Sequence, residues 1–126
     1  MFAPAKMRKF LDSRDTGNVS LIITGGLRVS SDFIKALAMG AGAIAIGTAA
    51  MMAVRCQQYR ICHTGNCPVG IATHDPAPRA RLDVEKSATR VANSFKVSTE
   101  ELKDFVRPTG NEDVHEISNH AGIEHV

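Results

Sequence analysis

Short, mostly apolar runs and one amphipathic stretch alternate along the first half of the chain, and a glycine follows each run. The run Val19–Thr24 is rich in β-branched residues, so it predicts a buried strand rather than a helix. The run Ala43–Ile46 predicts a second buried strand for the same reason. Between them apolar residues recur at helical spacing, and Ser30 or Ser31 is placed to cap that helix. Strand, helix and strand in this order predict a βαβ unit with two parallel strands and a right-handed crossover.

Two further helices flank this unit. Ala5–Ser13 predicts a short helix ahead of the first strand, and Thr48–Val54 predicts another directly after the second. The middle helix carries Asp32 in its first turn, where a negative charge is favourable, and Gly40 at the place of a left-handed C-cap. These two residues predict where that helix begins and ends.

The last third of the chain is predicted to be helical. From Asp83 onward apolar residues recur at helical spacing. Ser98 and Glu101 then form a capping-box pattern, which predicts that a helix begins again there. This helix should end before Pro108, and the final residues of the acidic, histidine-containing tail from Asn111 are expected to be loose.

These patterns divide the chain into three zones. Residues 1–54 are predicted to form the βαβ portion, residues 55–81 a cysteine-rich loop with several glycines and prolines, and residues 82–126 a helical extension. An irregular stretch as long as the middle zone is usually functional or disordered. The overall prediction is an α/β chain with a candidate functional loop at its centre.

Composition and charge exclude several classes of function. Of the 126 residues, 44% are hydrophobic and 22% are charged, as in a soluble globular chain. The formal net charge of +2 is too small to indicate a nucleic-acid or membrane-surface partner. No apolar run is long enough for a transmembrane span, and Met1–Lys6 lacks the apolar region of a signal peptide, so we expect a cytoplasmic protein.

Glycine turns follow both predicted strands and predict an anion site. Gly25 and Gly26 end the first strand, and Gly47 and Thr48 follow the second. The carboxyl ends of parallel strands share one edge, and glycine lets backbone N–H groups approach an anion without an intervening Cβ. We therefore predict a phosphate-binding site at this edge, with Arg28 as a candidate for added positive charge. Ordinary tight turns are the alternative.

Three cysteines, Cys56, Cys62 and Cys67, lie within twelve residues of one another. An odd, tightly grouped set in a reducing compartment indicates metal or redox chemistry rather than disulfides. The spacing differs from that of zinc fingers and of ferredoxin-type runs with four thiolates, and it suggests a [3Fe–4S] cluster. On spacing alone, a zinc site completed by His63 or His74 and a set of three ordinary thiols both stay open.

Several of these segments together resemble one known family. Leu21–Arg28 (LIITGGLR), Ala36–Ala41 (ALAMGA), Ile46–Ala50 (IGTAA) and above all Cys56–Ala72 (CQQYRICHTGNCPVGIA) are similar to the end of the FMN-binding (β/α)8 barrel of glutamate synthase. The glycine turns alone are not specific, because IMP dehydrogenase and flavin-dependent 2-hydroxyacid oxidases have similar pairs. The Cys-His-Thr-Gly-Asn-Cys-Pro block is specific, and the resemblance covers about Val19–Ile117.

The resemblance implies an oxidoreductase that produces L-glutamate. In such enzymes 2-oxoglutarate and glutamine-derived ammonia form 2-iminoglutarate, which reduced FMN converts to L-glutamate. The residues that it implies for the FMN phosphate are Gly25, Gly26, Gly47 and Thr48, with Arg28 as an addition. The residues that it implies as ligands of a [3Fe–4S] cluster are Cys56, Cys62 and Cys67.

Two positions depart from the pattern of that family. Gly42 stands where an aspartate is common, which should loosen the turn from helix to strand. Arg55 stands where a small residue is usual, and its positive charge should raise the reduction potential of a neighbouring cluster. Neither departure removes a predicted ligand.

The predicted fold is the C-terminal βαβ portion of a TIM-type barrel, followed by the cysteine loop and the helical extension. Two parallel strands can neither close a barrel nor cover their own edges. We therefore expect partners that supply the rest of the barrel, the amidotransferase part and the electron donor, with homo-oligomers as an alternative. A non-catalytic binding or assembly module, a remnant fragment and a zinc-stabilised domain are the competing interpretations.

Overall fold

The computed structural model describes residues 2–14, 16 and 18–119, which form a mixed α/β structure. Its helices and strands, in chain order, are α1 (Phe2–Ser13), β1 (Ile22–Thr24), α2 (Ser30–Ala38), β2 (Ala43–Ala45), α3 (Thr48–Ala53), α4 (Pro76–Arg79) and α5 (Val84–Val106). Short 3₁₀ helices cover Cys62–Thr64, Arg107–Thr109 and Val114–Asn119.

The predicted pair of parallel strands is confirmed. β1 and β2 pair in parallel, with Ile22 opposite Ala43 and Thr24 opposite Ala45. The Thr24 hydroxyl also donates to the carbonyl oxygen of Ala45 at 2.9 Å, which ties the carboxyl ends of the strands together. Each strand has three residues and is shorter than the apolar run that predicted it.

The prediction that both strands are buried is wrong for this chain. Ile22 is 63% exposed, and Ala43 and Ala45 are also exposed. A parallel strand becomes buried when helices cover its faces and further strands flank it. In the part of the chain that the structure describes, the sheet has two strands, so both edges stay open.

Helix α2 supplies the apolar core beside the sheet. Phe33, Ala36 and Leu37 are all less than a tenth exposed. The helix packs against the 3₁₀ helix Val114–Asn119, whose Ile117 is also buried. The beginning of the tail, predicted as acidic and loose at its end, therefore contributes to the core; the final residues, 120–126, lie outside the described part of the chain.

The beginning of α2 differs from the predicted cap. The N-cap position belongs to Val29, whose side chain cannot accept a hydrogen bond, and Ser30 is the first helical residue. The Asp32 carboxylate performs the capping by accepting from the backbone N–H groups of Arg28 (3.1 Å) and Val29 (3.4 Å). A negative group in the first turn is favoured there, so Asp32 is confirmed and the serine cap is wrong.

The end of α2 follows the prediction. Gly40 has φ +89° and donates its N–H to the carbonyl of Leu37, while Ala41 donates to the carbonyl of Ala36. These two bonds form a Schellman motif with a left-handed glycine just past the helix. A Cβ at Gly40 would lie 2.5 Å from Cγ of Arg8. Both the positive φ and this lack of space therefore disfavour a side chain at the position.

Helix α5 is continuous through Ser98, and the predicted new start there is wrong. Val91, Ser98 and Leu102 are half-buried and Val106 is buried. Their spacing gives one stripe along a single helix, and the helix continues past the local capping signal at Ser98. The helix ends at Val106, ahead of Pro108 as predicted.

The chain divides into two compact units. One combines residues 1–46 with residues 98–126, and the other spans Gly47–Val97. The first contains the strands and α2, and the second contains α3 and all three cysteines. The three-zone division drawn from the sequence stays a prediction. No helix among the described residues has both the length and the apolar character needed to cross a bilayer.

Candidate cofactor site: glycine turns and cysteine loop

The turn after β1 is built so that only glycine fits its backbone. Gly25 has φ +103° and Gly26 has φ +74°, a region that L-residues with a Cβ rarely adopt. Nothing lies within 4 Å of the place where a Cβ would be at either residue. The turn is therefore an open, exposed stretch of backbone. Exposed backbone N–H groups are what an anion-binding site requires.

The turn after β2 leads directly into a helix. Gly47 occupies the N-cap position of α3, with no side-chain capping bond, and Thr48 is the first helical residue. Arg28 is exposed, and Asp32 holds its backbone N–H. Thr24 and Ala45, the last residues of the two strands, are paired, and each glycine turn follows one of these strands along the chain. Their assembly into one phosphate site stays a prediction.

The cysteine loop begins with an unusual helix end. Arg55 donates its N–H to the carbonyl of Met52, and Cys56 donates to that of Met51, both at 2.9 Å. These bonds form a second Schellman motif, but its left-handed position is held by Arg55 (φ +88°) instead of glycine. The motif fixes the backbone of Cys56 immediately after α3.

Backbone strain is concentrated just before the first cysteine and between the first two cysteines. The non-glycine residues with positive φ among those described are Arg55 (+88°), Gln58 (+55°) and Arg60 (+59°). Such conformations cost of the order of 1–2 kcal/mol each and cluster at functional sites. The loop is therefore held in a conformation that its local sequence disfavours.

Cys56 and Gln58 are in direct contact. The backbone N–H of Gln58 donates to the Cys56 sulfur at 3.4 Å, and Cys56 is half-buried. The side-chain nitrogen Nε2 of Gln58 is buried and has no hydrogen-bond partner among the described residues. Sequence reasoning assigned no role to Gln58, and nothing in its spacing could have signalled a buried amide.

Cys67 is the most enclosed of the three thiols, at 7% exposed. Backbone N–H groups lower the pKa of its thiol, while burial acts in the opposite direction. The contributing N–H groups, the largest first, belong to Ala72, Val69, Ile71 and Gly70. Such an array favours the thiolate, which is the form of cysteine that binds metal.

Gly70 makes the backbone around Cys67 possible. It has φ +82°, and a Cβ there would lie 2.3 Å from the carbonyl oxygen of Pro78. Its N–H donates to the carbonyl of Cys67 at 3.1 Å, which closes the turn. Arg81 adds a bond from its guanidinium to the carbonyl of Pro68 at 3.0 Å. The α4 region thus holds the turn that surrounds the thiol.

The three thiols differ in their surroundings. Cys62 begins the 3₁₀ helix Cys62–Thr64 and is exposed, whereas Cys56 is half-buried and Cys67 is buried. Among the described residues, no three histidine, cysteine or acidic side chains are grouped so as to hold a metal ion. The individual environments of Cys56 and Cys67 suit an anionic sulfur ligand, and the joint ligand set stays a prediction.

His115 makes contacts that sequence reasoning missed. Its Nδ1 lies 2.9 Å from Oδ1 of Asp113, and its Nε2 lies 3.1 Å from the carbonyl oxygen of Gly42. The Asp113 hydrogen bond, followed by the Gly42 carbonyl, raises the pKa of His115, and His115 in turn lowers the pKa of Asp113. The spacing of Asp113 and His115 could signal their pairing, but nothing local signals the contact with Gly42.

Comparison with known proteins decides the family. A family model described as "Conserved region in glutamate synthase" matches residues 3–112, which include both glycine turns and all three cysteines. The chain belongs to the glutamate synthase family. The resemblance seen in the motifs is thereby confirmed, and the family is one of oxidoreductases.

Individual glutamate synthases are similar to the chain over most of its length. It is 48% identical over 92 residues to "Archaeal glutamate synthase [NADPH]" of Methanocaldococcus jannaschii, covering 73% of this chain and 18% of the relative. It is 40% identical over 100 residues to the protein of the same name from Archaeoglobus fulgidus, covering 77% and 20%. It is 38% identical over 108 residues to "Ferredoxin-dependent glutamate synthase" of Pyropia yezoensis, covering 84% and 7%.

The match covers only a small part of each relative's length. The chain spans between 7% and 20% of the length of these three glutamate synthases. It therefore corresponds to one region of a larger glutamate synthase. The similarity alone does not assign the reaction of the whole enzyme to this chain.

Proposed function

We propose that the chain is the FMN- and iron–sulfur-binding segment of a glutamate synthase-type oxidoreductase, which forms L-glutamate from 2-oxoglutarate and glutamine-derived ammonia. The observation that carries the proposal is the environment of Cys67, a buried thiol whose pKa backbone N–H groups lower. Membership of the family supports it, since the matched residues 3–112 include Cys56, Cys62 and Cys67.

In this proposal each part of the site has one task. The thiolates of Cys56, Cys62 and Cys67 hold a [3Fe–4S] cluster, and the N–H groups around Cys67 stabilise its negative charge. The open backbone of the two turns binds the FMN phosphate through Gly25, Gly26, Gly47 and Thr48, with Arg28 adding positive charge. When bound, the flavin supplies hydride transfer and the cluster supplies single electrons.

The chain's own residues then position and shield the cofactors. The Schellman motif at the end of α3 fixes Cys56, and Gly70 fixes the turn that encloses Cys67. Two thiols thus stand on backbone that hydrogen bonds hold in place, so little reorganisation would accompany binding. Exposure of Cys62 leaves one ligand position open to insertion of the cluster.

We further propose that the chain works with partners in the cytoplasm. The exposed strands, with Ile22 63% exposed, fit a sheet that further strands extend. The partners would carry the rest of the barrel, the amidotransferase and the electron donor. A homo-oligomer is the alternative source of covering strands.

Anaerobic reconstitution tests the cluster. The full chain, incubated with ferrous iron and sulfide, should become brown and after oxidation give the EPR signal of a [3Fe–4S] centre. Cys67→Ser should lose most of that signal, while Gln57→Met, in the exposed part of the same loop, should keep it. A metal-free chain after reconstitution would overturn the cluster, and stoichiometric zinc instead of iron would identify a structural zinc domain.

Discrimination between FMN and riboflavin tests the phosphate site. The full chain should bind FMN more tightly than riboflavin, because only FMN carries the phosphate. Gly26→Asp should abolish the preference, since it adds bulk and negative charge to the turn. Gly65→Asp is the matched control, as Gly65 also has positive φ and open space around it. Equal binding of the two flavins would overturn the phosphate assignment.

A non-catalytic assembly module is the second candidate. The observation that favours it is the absence of a grouped metal-binding set among the described side chains. If neither iron, zinc nor FMN binds while the chain still associates with the remaining parts of the enzyme, this second function replaces the first.

A further inference from the structure

The 3₁₀ helix Val114–Asn119, which we call the tail strap, is attached to the βαβ portion at two points. Its Ile117 is buried, and the strap packs against α2, whose Phe33 is buried as well. His115 provides the second point, because its Nε2 lies 3.1 Å from the carbonyl oxygen of Gly42, 73 residues away. One attachment is therefore apolar, and the other depends on an ionisable side chain.

Both ring nitrogens of His115 face hydrogen-bond acceptors. Nδ1 lies 2.9 Å from Oδ1 of the Asp113 carboxylate, while Nε2 meets the carbonyl of Gly42. A neutral imidazole has one N–H and one lone pair, so it can donate to only one acceptor and directs its lone pair at the other. The protonated ring donates to both. The arrangement therefore suits the charged form of His115.

The surroundings of His115 favour the same charged form. The Asp113 hydrogen bond, followed by the Gly42 carbonyl, raises the pKa of His115, whereas burial acts in the opposite direction. Other charged side chains on the packed and adjoining segments are Asp32 and Lys35 of α2, Arg8 of α1, Glu112 and Glu116. Asp32 accepts from backbone N–H groups, and Arg8 pairs within its own helix. The doubly bonded ring is thus complete below pH 6.5 and is lost as pH rises through the folded-state pKa.

Gly42 connects the strap to the beginning of the sheet. Its N–H donates to the carbonyl of Leu21 at 2.9 Å, directly ahead of β1, and its own carbonyl faces His115. Gly42 also directly precedes β2. The His115 contact therefore reaches the turn between α2 and β2, where the two strands begin.

We propose that the tail strap is a pH-dependent device: it is closed on Gly42 and covers apolar residues of α2 while His115 is protonated, and loss of the proton releases it. A neutral ring keeps its one N–H for Asp113, since a hydrogen bond to a charged acceptor is stronger than one to a carbonyl. Nε2 then directs a lone pair at the Gly42 oxygen, which repels it. Release of the strap exposes Phe33 and Leu37, the buried side chains of the helix beneath.

Hydrogen exchange at two pH values tests the release. The full chain is compared at about pH 5.5 and about pH 8.5, with each rate divided by the intrinsic rate at that pH. We expect the protection of the strap's backbone amides to fall at least about threefold at the higher pH. This exchange should be insensitive to low concentrations of urea, which marks local opening. Equal protection at both pH values, or exchange of the strap only by global unfolding, overturns the proposal.

Two variants test whether His115 is the group that titrates. His115→Gln carries an amide N–H that can donate to the Gly42 carbonyl at any pH, so its strap should be about equally protected at both values. Asp113→Asn removes the neighbouring negative charge, so the midpoint of the change should move to lower pH, toward 6.5. A fall in His115→Gln like that of the unaltered chain, or an unmoved midpoint in Asp113→Asn, overturns the role of His115.

Discussion

Ser30 donates its hydroxyl proton to a carboxylate oxygen of Glu101, at 2.6 Å and across 71 residues of sequence. The serine is the first residue of α2 and is 8% exposed, whereas Glu101 lies in α5. The bond joins the beginning of the βαβ helix to the last long helix within the first compact unit. The serine lies one residue past the N-cap position of its own helix, which Val29 holds.

Removal of that hydroxyl should destabilise the fold. Ser30→Ala leaves a carboxylate oxygen of Glu101 without its partner, and we expect the free energy of unfolding to fall by about 1 kcal/mol. Chemical denaturation measures the change. Ser31→Ala, one residue further along the same helix, should have a clearly smaller effect; equal losses would show that the bond contributes nothing specific.

Arg55→Gly should stabilise the chain. Arg55 holds the left-handed position of a Schellman motif, a conformation that costs an L-residue about 1–2 kcal/mol more than glycine. Part of this gain is offset because glycine makes the unfolded chain more flexible, so we expect a net gain of about 0.5–1 kcal/mol in unfolding experiments.

Two variants check the origin of that gain. Arg55→Ala removes the positive charge but keeps a Cβ in the left-handed conformation. It should therefore not raise the free energy of unfolding as Arg55→Gly does. Gly40→Ala makes the reverse change in the same motif of α2, where the new Cβ would also meet Arg8, and it should be destabilising by about 1–2 kcal/mol or more. A gain in Arg55→Ala equal to that of Arg55→Gly would attribute the effect to charge instead of backbone strain.

The pair of Asp113 and His115 should make stability depend on pH. Both Asp113 and the Gly42 carbonyl are acceptors, so a His115 ring that donates to both is protonated at both nitrogens. Folding raises the pKa of His115, so its contribution is fully present below the ordinary value of 6.5 and is lost as pH rises through the folded-state pKa. Folding lowers the pKa of Asp113, so its contribution is present above 3.8 and is lost as pH falls through the lowered value.

Substitution of His115 checks this dependence. The difference in unfolding free energy between the unaltered chain and His115→Ala should be larger at about pH 5.5 than at about pH 8.5. Gln57→Ala, at an exposed position without an ionisable side chain, is the control and should show a difference that varies little with pH. A His115→Ala effect that is constant over this range would contradict the protonated contact.

Gly70→Ala should expose Cys67. The new Cβ would lie 2.3 Å from the Pro78 carbonyl, so the turn that encloses the thiol has to open. We expect a thiol reagent to label Cys67 at least about tenfold faster in this variant, which peptide mapping after labelling can measure. Gly65→Ala is the control because it is also left-handed but has open space around it. Similar labelling rates in both variants would show that the contact with Pro78 does not protect the thiol.

Features that depend on neighbouring residues can be predicted from the order of the amino acids. The strands around Ile23 and Ile44, the left-handed Gly40 and the helix end before Pro108 all follow from local periodicity and backbone preferences. The cysteine block was enough to indicate the family, because its residue order is unusual.

Contacts between distant segments are seen only in the folded chain. Ser30 is bonded to Glu101 instead of capping α2, and His115 reaches Gly42, since both contacts join residues that are distant in the sequence. The same holds for the enclosed thiol of Cys67, which needs a folded turn around it. Local patterns set the preference of each segment, whereas packing and the pairing of buried polar groups select among the partners that the segments can reach.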